Sequence, residues 1–230
     1  MDRSTLLVLD IDNTLIEPKP DPKSDKYSVF QPQVGSDQWF YSLYRLFEKK
    51  PSEDLLLDKR LMTIWNDTQF AISVKPVEKI TPGFLQSQYK LGIKTLLLTA
   101  RRPDISDVTL RQLQSVGYTP AAHSIYDGEV TLPKEEFGTE DFAQYKRGIL
   151  TVGEGNSKGV VFVKFLKKIG FQPKRVVYVD DREKHVHTME KALSEAKIPY
   201  FGFRYGALDE KVKKYYEAVE LKRSSVAAQK

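Results

Sequence analysis

Apolar residues occur in two rhythms along this chain. Three runs are almost unbroken: LLVL at 6–9, TLLL at 95–98 and VVYV at 176–179. Runs of that length and composition suit strands buried on both faces of a sheet. Elsewhere apolar residues return every three or four positions, the spacing of a helix with one buried stripe. Trp39, Leu43, Leu46 and Phe47 form one such set, and Leu57, Leu61, Ile64 and Trp65 another. Ser36 can cap the first helix, while Glu53 and Asp54, after Pro51-Ser52, suit the N-terminal dipole of the second.

Downstream the two rhythms alternate. Helices are predicted over 81–91, opened by Thr81-Pro82 and stopped by Gly92, over 105–116, over 157–169 before Gly170, over 183–197 and over 209–221. Strands are predicted over 5–9, 93–98, 175–179 and 200–204. Residues 119–152 are read as short strands near 122–126 and 148–152 with a turn at Tyr126-Asp127-Gly128-Glu129. The proline- and charge-rich stretch 17–27 reads as irregular, and the polar tail from Lys222 as frayed. Strands alternating with helices of this length predict an α/β fold, a doubly wound parallel sheet with helices on both faces.

Composition narrows the chemistry. With 40% hydrophobic and 29% charged residues in 230, the chain has the balance of a water-soluble globular protein able to bury a core. It contains no cysteine, which excludes disulfides, thiolate metal sites and cysteine nucleophiles. The net charge of +5 is spread out; no basic run is interleaved with aromatics, so no nucleic-acid partner is expected. No apolar stretch approaches the roughly 20 residues that span a bilayer. The N-terminus is not expected to be a signal peptide, because Asp2 is acidic and a strand-like run starts by Thr5.

Three of the apolar runs end in polar residues: Asp10-Ile11-Asp12-Asn13-Thr14, Thr99-Ala100-Arg101 and Asp180-Asp181. In an open parallel sheet, ligands bind at the carboxyl ends of strands near the switch point in strand order, so these three ends can converge. Gathered carboxylates repel, and an oxygen-only set that needs a cation suits Mg²⁺. One carboxylate can attack phosphorus, and a second can protonate the leaving oxygen and then activate water. Thr99, and Lys158 at the start of a helix, offer donors and positive charge to a phosphoryl group. Ordinary alternatives stand beside each residue. The first aspartates can serve a turn, and Asp180-Asp181 can cap the helix after Arg182. Lys146 or Lys164 can take the place of Lys158, and Arg101 and Arg102 can meet a substrate or form salt bridges. Trp39 reads as core, and His123, His185 and His187 as structural or surface residues.

DIDNTL at 10–15, LLLTA at 96–100, Lys158 in NSKG and VVYVDD at 176–181 resemble, in order, motifs I to IV of the haloacid-dehalogenase (HAD) superfamily. The resemblance frames residues 5–205. It implies a HAD-like, Rossmannoid fold and a Mg²⁺-dependent phosphatase, with Asp10 as nucleophile and metal ligand. It implies that Asp12 is the acid/base and lends a backbone carbonyl to the metal, that Thr99 and Lys158 hold phosphate, and that Asp180 and Asp181 complete the metal site with Asp181 as the favoured direct ligand. Arg101 is a further candidate for phosphate. An Asp two positions after the nucleophile marks the phosphatase and phosphomutase branches, so phosphoryl transfer is expected rather than dehalogenation. A silent binding or effector module and a phosphotransferase are the rival functions. Residues 1–20 and 78–222 are assigned to the catalytic core, 21–77 to a small helical cap between motifs I and II, and 223–230 to a flexible tail. GSDQWF at 35–40 resembles a little-characterised branch found in intracellular bacteria, near which some effector proteins are phosphotyrosine phosphatases. The expected substrate is thus a phosphotyrosyl protein or a small phosphorylated metabolite. The expected location is the cytoplasm, or outside the cell as an effector without a classical signal.

Overall fold

The three apolar runs form the middle of a seven-stranded sheet in a computed structural model that describes residues 3–19, 33–46, 53–153 and 155–227. Strand β1 (Thr5–Leu9) pairs in parallel with β4 (Lys94–Thr99) on one side and β8 (Arg175–Asp180) on the other. β7 (Ile149–Thr151) extends the parallel sheet beyond β4, and β9 (Tyr200–Arg204) extends it beyond β8. β6 (Ala143–Lys146) and β5 (Val130–Leu132) continue it as an antiparallel edge, giving the order β5-β6-β7-β4-β1-β8-β9. The fold is therefore mixed α/β with a mostly parallel central sheet, as the alternation predicts.

Burial explains the register. All five residues of β1 are buried, and so are the last five of β4. A Leu or Val side chain taken fully out of water contributes about 1.5–3 kcal/mol, so a one-residue slip in these strands is costly. Leu6, Val8, Leu96, Leu98, Val176 and Tyr178 share one cluster with Phe162 and Phe165 of α5 (Lys158–Lys168) and with Met189 and Leu193 of α6 (Glu183–Glu195). Gly159 lets these two helices approach closely: a Cβ there would lie 2.3 Å from the carbonyl oxygen of Thr188. α3 (Thr81–Lys90) starts with Pro in its first turn and stops before Gly92, whose φ of 77° few other residues adopt. α4 (Ser106–Ser115) follows β4.

One local expectation is corrected. Residues 122–126 are not a strand: Pro120–His123 is a 3₁₀ turn opened by its proline. β5 and β6 supply the pairing in this region instead. Their inward–outward alternation is present, but over three and four residues only.

The described residues group into two compact units, one drawn from 1–16 and 76–206, the other from 17–75 and 207–230. The second unit contains α1 (Asp37–Leu46), α2 (Leu55–Ala71) and α7 (Asp209–Ala227). Trp39 is buried in it, and Phe40 meets Tyr44 and Trp65 edge to face. Ser36 accepts a bond from the Trp39 amide at 3.1 Å, and Asp54 caps α2 by accepting from Leu56 and Leu57. Phe47 and the Pro51-Ser52 break lie outside the described residues, as does most of 17–27. α7 goes with these helices rather than with the sheet, because Tyr215 is buried and its hydroxyl pairs with Ser42 at 2.8 Å while Arg45 binds Glu220 at 2.8 Å. The tail expected to fray from Lys222 stays helical to Ala227. The strands β2 (Ile16–Pro18) and β3 (Val74–Pro76) pair with each other where the chain leaves for α1 and returns from α2.

Candidate active site

Asp10 is the first residue past β1, and Asp180 is the last residue of β8 beside it. The Asp10 amide donates to the Val179 carbonyl at 3.0 Å, which holds the two strand ends level. Lys158, the first residue of α5, inserts between them. Its Nζ lies 2.5 Å from Asp10 Oδ1 and 2.7 Å from Asp180 Oδ2, and all three side chains are almost fully buried. A lysine at a helix N-terminus opposes the helix dipole, so its place here rests on those two carboxylates. Lys146 and Lys164, the alternatives, pair instead with Asp107 and Glu136.

The loop after β1 turns tightly. Asn13 has φ 60°, a conformation that Asn tolerates better than most residues, and the Leu15 and Ile16 amides both donate to the Ile11 carbonyl. This turn returns Thr14 to Asp10: its hydroxyl donates to Asp10 Oδ2 at 3.0 Å and accepts from the Asp181 amide at 3.1 Å. Asn13 donates to Asp181 at 3.3 Å. One ligand atom each from Asp10, Asp180 and Asp181 lie within 4.8 Å of one another. Asp180 is heavily engaged: it accepts from the Tyr178 hydroxyl, from the Arg182 amide at 2.8 Å and from Lys158, with His185 Nδ1 at 3.3 Å. Asp181 is the most exposed of the three.

Asp12 is held apart from this cluster. Its carboxylate takes two parallel bonds from Arg101, Nε to Oδ2 and Nη2 to Oδ1, each 2.8 Å. Thr99 is buried at the end of β4, where its hydroxyl accepts from the Arg101 amide at 3.1 Å. Arg102 pairs with Asp141 at 2.9 Å.

The charges are unequally balanced. Burial drives the Asp10 carboxyl well above the ordinary carboxylate range; Lys158 pulls it back, but Asp180, Asp181 and Asp12 push it up again. Burial also acts on Asp180, yet Lys158 and His185 hold it below its usual range. Lys158 is raised, since the two carboxylates outweigh the cost of burying its charge. One ammonium thus serves two carboxylates, and Asp10 is the one left short of positive charge. Tyr178, raised by burial and by Asp180, stays a neutral donor.

Asp10, Thr99, Lys158, Asp180 and Asp181 therefore lie at strand ends or a helix start of one unit, and Arg101 reaches Asp12 there. Two residues escaped the sequence reading. His185 reads from sequence as structural or surface, and nothing there places its ring beside Asp180, where it lies. Tyr178 reads as a core aromatic, although its spacing of two from Asp180 on one strand puts both side chains on the same face. That spacing was the available signal.

The molecule is thus an α/β protein with a buried, lysine-bridged acidic cluster at the carboxyl ends of its parallel strands. It belongs to the family described as Protein of unknown function (DUF2608), whose model matches residues 1–227. A Chlamydia pneumoniae protein bearing the provisional name of an outer membrane protein is 23% identical over 201 residues, 87% of this chain and 69% of that protein. Among solved structures, a conserved haloacid dehalogenase-like protein of unknown function from Agrobacterium tumefaciens is 14% identical, with 98% of this chain and 99% of that one covered and a TM-score of 0.45. The HAD domain of the effector protein Lem4 from Legionella pneumophila is 12% identical, with 94% and 93% covered and a TM-score of 0.41. A HAD family enzyme from Bacteroides thetaiotaomicron, in a magnesium complex, is 12% identical, with 88% and 94% covered and a TM-score of 0.40. Among the described residues no helix is long and apolar enough to cross a membrane.

Proposed function

We propose that this protein is a Mg²⁺-dependent phosphomonoester hydrolase that works through an aspartyl-phosphate on Asp10. The observation that carries the reading is the Asp10–Lys158–Asp180 bridge, with Asp181 beside it, at converging strand ends. Asp10, Asp180 and Asp181 each turn an oxygen to one place, and an oxygen-only donor set of this kind fits a hard divalent cation. Asp10 and Asp181 would hold it, with Asp180 behind them and the Asp12 backbone carbonyl as a further oxygen. Bound there, Mg²⁺ would supply charge to the phosphoryl oxygens and to the nucleophile.

The side chains divide the remaining work. Asp10 attacks phosphorus, and the bond from phosphorus to the leaving oxygen breaks as that oxygen takes a proton from Asp12. Lys158 and the Thr99 hydroxyl hold phosphoryl oxygens through the transfer. Asp12, now a carboxylate, takes a proton from water. The water oxygen bonds to phosphorus, the acyl phosphate breaks, and Asp10 is restored as phosphate leaves. We assign residues 21–77 the role of a cap; their place in the chain between Asp12 and Thr99 supports this. The substrate class stays open between a phosphotyrosyl protein and a small phosphorylated metabolite.

Hydrolysis of an aryl phosphate, with Mg²⁺ or with EDTA, tests the reading on wild type and Asp10→Asn. Activity should require both the cation and Asp10, since an amide does not attack phosphorus. A folded Asp10→Asn protein that turns over normally, or a wild type indifferent to EDTA, overturns it.

A further inference from the structure

Arg101 is among the most deeply buried charges in its unit, and its guanidinium grips groups on two sides. The guanidinium gives both oxygens of Asp12 a bond of 2.8 Å. Its Nη1 turns the other way, to Thr109 Oγ1 at 3.1 Å and Gln112 Oε1 at 2.6 Å. Thr109 and Gln112 stand three apart on α4, so they share a face of that helix. Thr109 is itself fixed, donating to the Ile105 carbonyl at 2.9 Å. The Arg101 backbone is tied as well, its amide to Thr99. A planar fork bound on both edges has one orientation, and it passes that orientation to the carboxylate it grips. A guanidinium waiting for phosphate would instead keep donors directed at the phosphoryl site.

We propose that Arg101 is a positioning residue that locks the Asp12 carboxylate against a frame built on α4, and that it does not bind the phosphoryl group; this rests on the phosphatase reading of the same site. The leaving oxygen needs its proton from a fixed place, and Asp12 alone, on a loop past β1, has free rotation about its side-chain bonds. Arg101 removes that freedom. Its loss should therefore fall on the step that needs the proton and on nothing that Asp12 does not do.

The test uses the full chain, wild type, Arg101→Met, Asp12→Asn and the double variant, with Mg²⁺, on an alkyl phosphate and on 4-nitrophenyl phosphate. Arg101→Met should lower kcat on the alkyl ester by about 10²-fold, the cost typical of a misplaced catalytic group. The loss should be clearly smaller on the nitrophenyl ester, whose leaving group departs without a proton. In the Asp12→Asn background Arg101→Met should add little, because both changes remove one function. Tungstate binding, followed by calorimetry, should be unchanged in Arg101→Met. Should that variant fold poorly, Gln112→Leu leaves the grip on Asp12 but loosens its frame, and should show the same ester dependence at smaller size. Losses that multiply in the double variant, equal losses on both esters, or tungstate binding weakened about tenfold or more overturn the proposal and give Arg101 to the phosphate. A wild type that hydrolyses neither ester overturns the phosphatase reading and this proposal together; an active wild type with multiplying losses overturns this one alone.

Discussion

Both units bury scattered polar groups, but only the sheet unit, among the described residues, also gathers several of them in one place. In the helical unit they are dispersed, and each joins two pieces of backbone: Ser42 to Tyr215, Gln69 to the Gly35 carbonyl, Glu17 to Lys75 and Lys211. In the sheet unit Asp10, Lys158 and Asp180 crowd into one place, with Tyr178, His185 and Thr14 arranged around them. Dispersed pairs are what packing requires when polar atoms are covered. Converged like charges are more than packing requires, since an apolar core of the same volume is often as stable or more so. The contrast separates polar residues that packing accounts for from polar residues that it does not.

Three substitutions probe that contrast. Lys158→Met should have the largest effect, because it leaves two buried carboxylates without their cation. Breaking such a pair costs about 3–5 kcal/mol, and urea titration should register it; a change near zero would mean that Asp10 and Asp180 do not depend on Lys158. Added Mg²⁺ should recover part of the loss in the variant, as a ligand of the folded state does. Gly159→Ala comes next. The new methyl meets the Thr188 carbonyl, so α5 and α6 must part, at about 1–3 kcal/mol. If α5 carries Lys158 to its place, this variant should lose activity as well as stability, and retained activity would loosen that link. Asp54→Ala, in the helical unit, should be the mildest. It removes the α2 cap for about 1 kcal/mol in thermal melting and should leave Mg²⁺ affinity unchanged. A matching drop in Mg²⁺ affinity would erase the distinction between the units.

The sheet and most of the cluster were legible because both follow from local pattern. Buried strands announce themselves by apolar runs, and polar residues at the ends of such runs have few structural reasons to be there. In the 119–152 region only the strand near 148–152 was legible, as β7. β5 and β6 span too few residues for alternation to stand out, and Pro120 allows an extended or a 3₁₀ reading equally well. The company kept by α7 was hidden for a different reason: its helical pattern shows that it has a buried face, but not whether Tyr215 will meet a sheet or Ser42. Arg101 stands out in the sequence as a candidate, but nothing there pairs it with Asp12, which lies 89 positions away with no periodicity to link them.

The pairing of β2 with β3 has a consequence for changes of chain length. The Lys19 amide bonds the Ser73 carbonyl at 2.9 Å, and the Val77 amide bonds the Leu15 carbonyl at 3.0 Å, so the long excursion through α1 and α2 opens and closes at a single gate. β2 and β3 thus form the two-stranded root from which that excursion departs and to which it returns. A change of length between α1 and α2 that keeps these two bonds leaves the register of the flanking strands untouched, provided α1 keeps the face on which Tyr215 and Glu220 of α7 are seated.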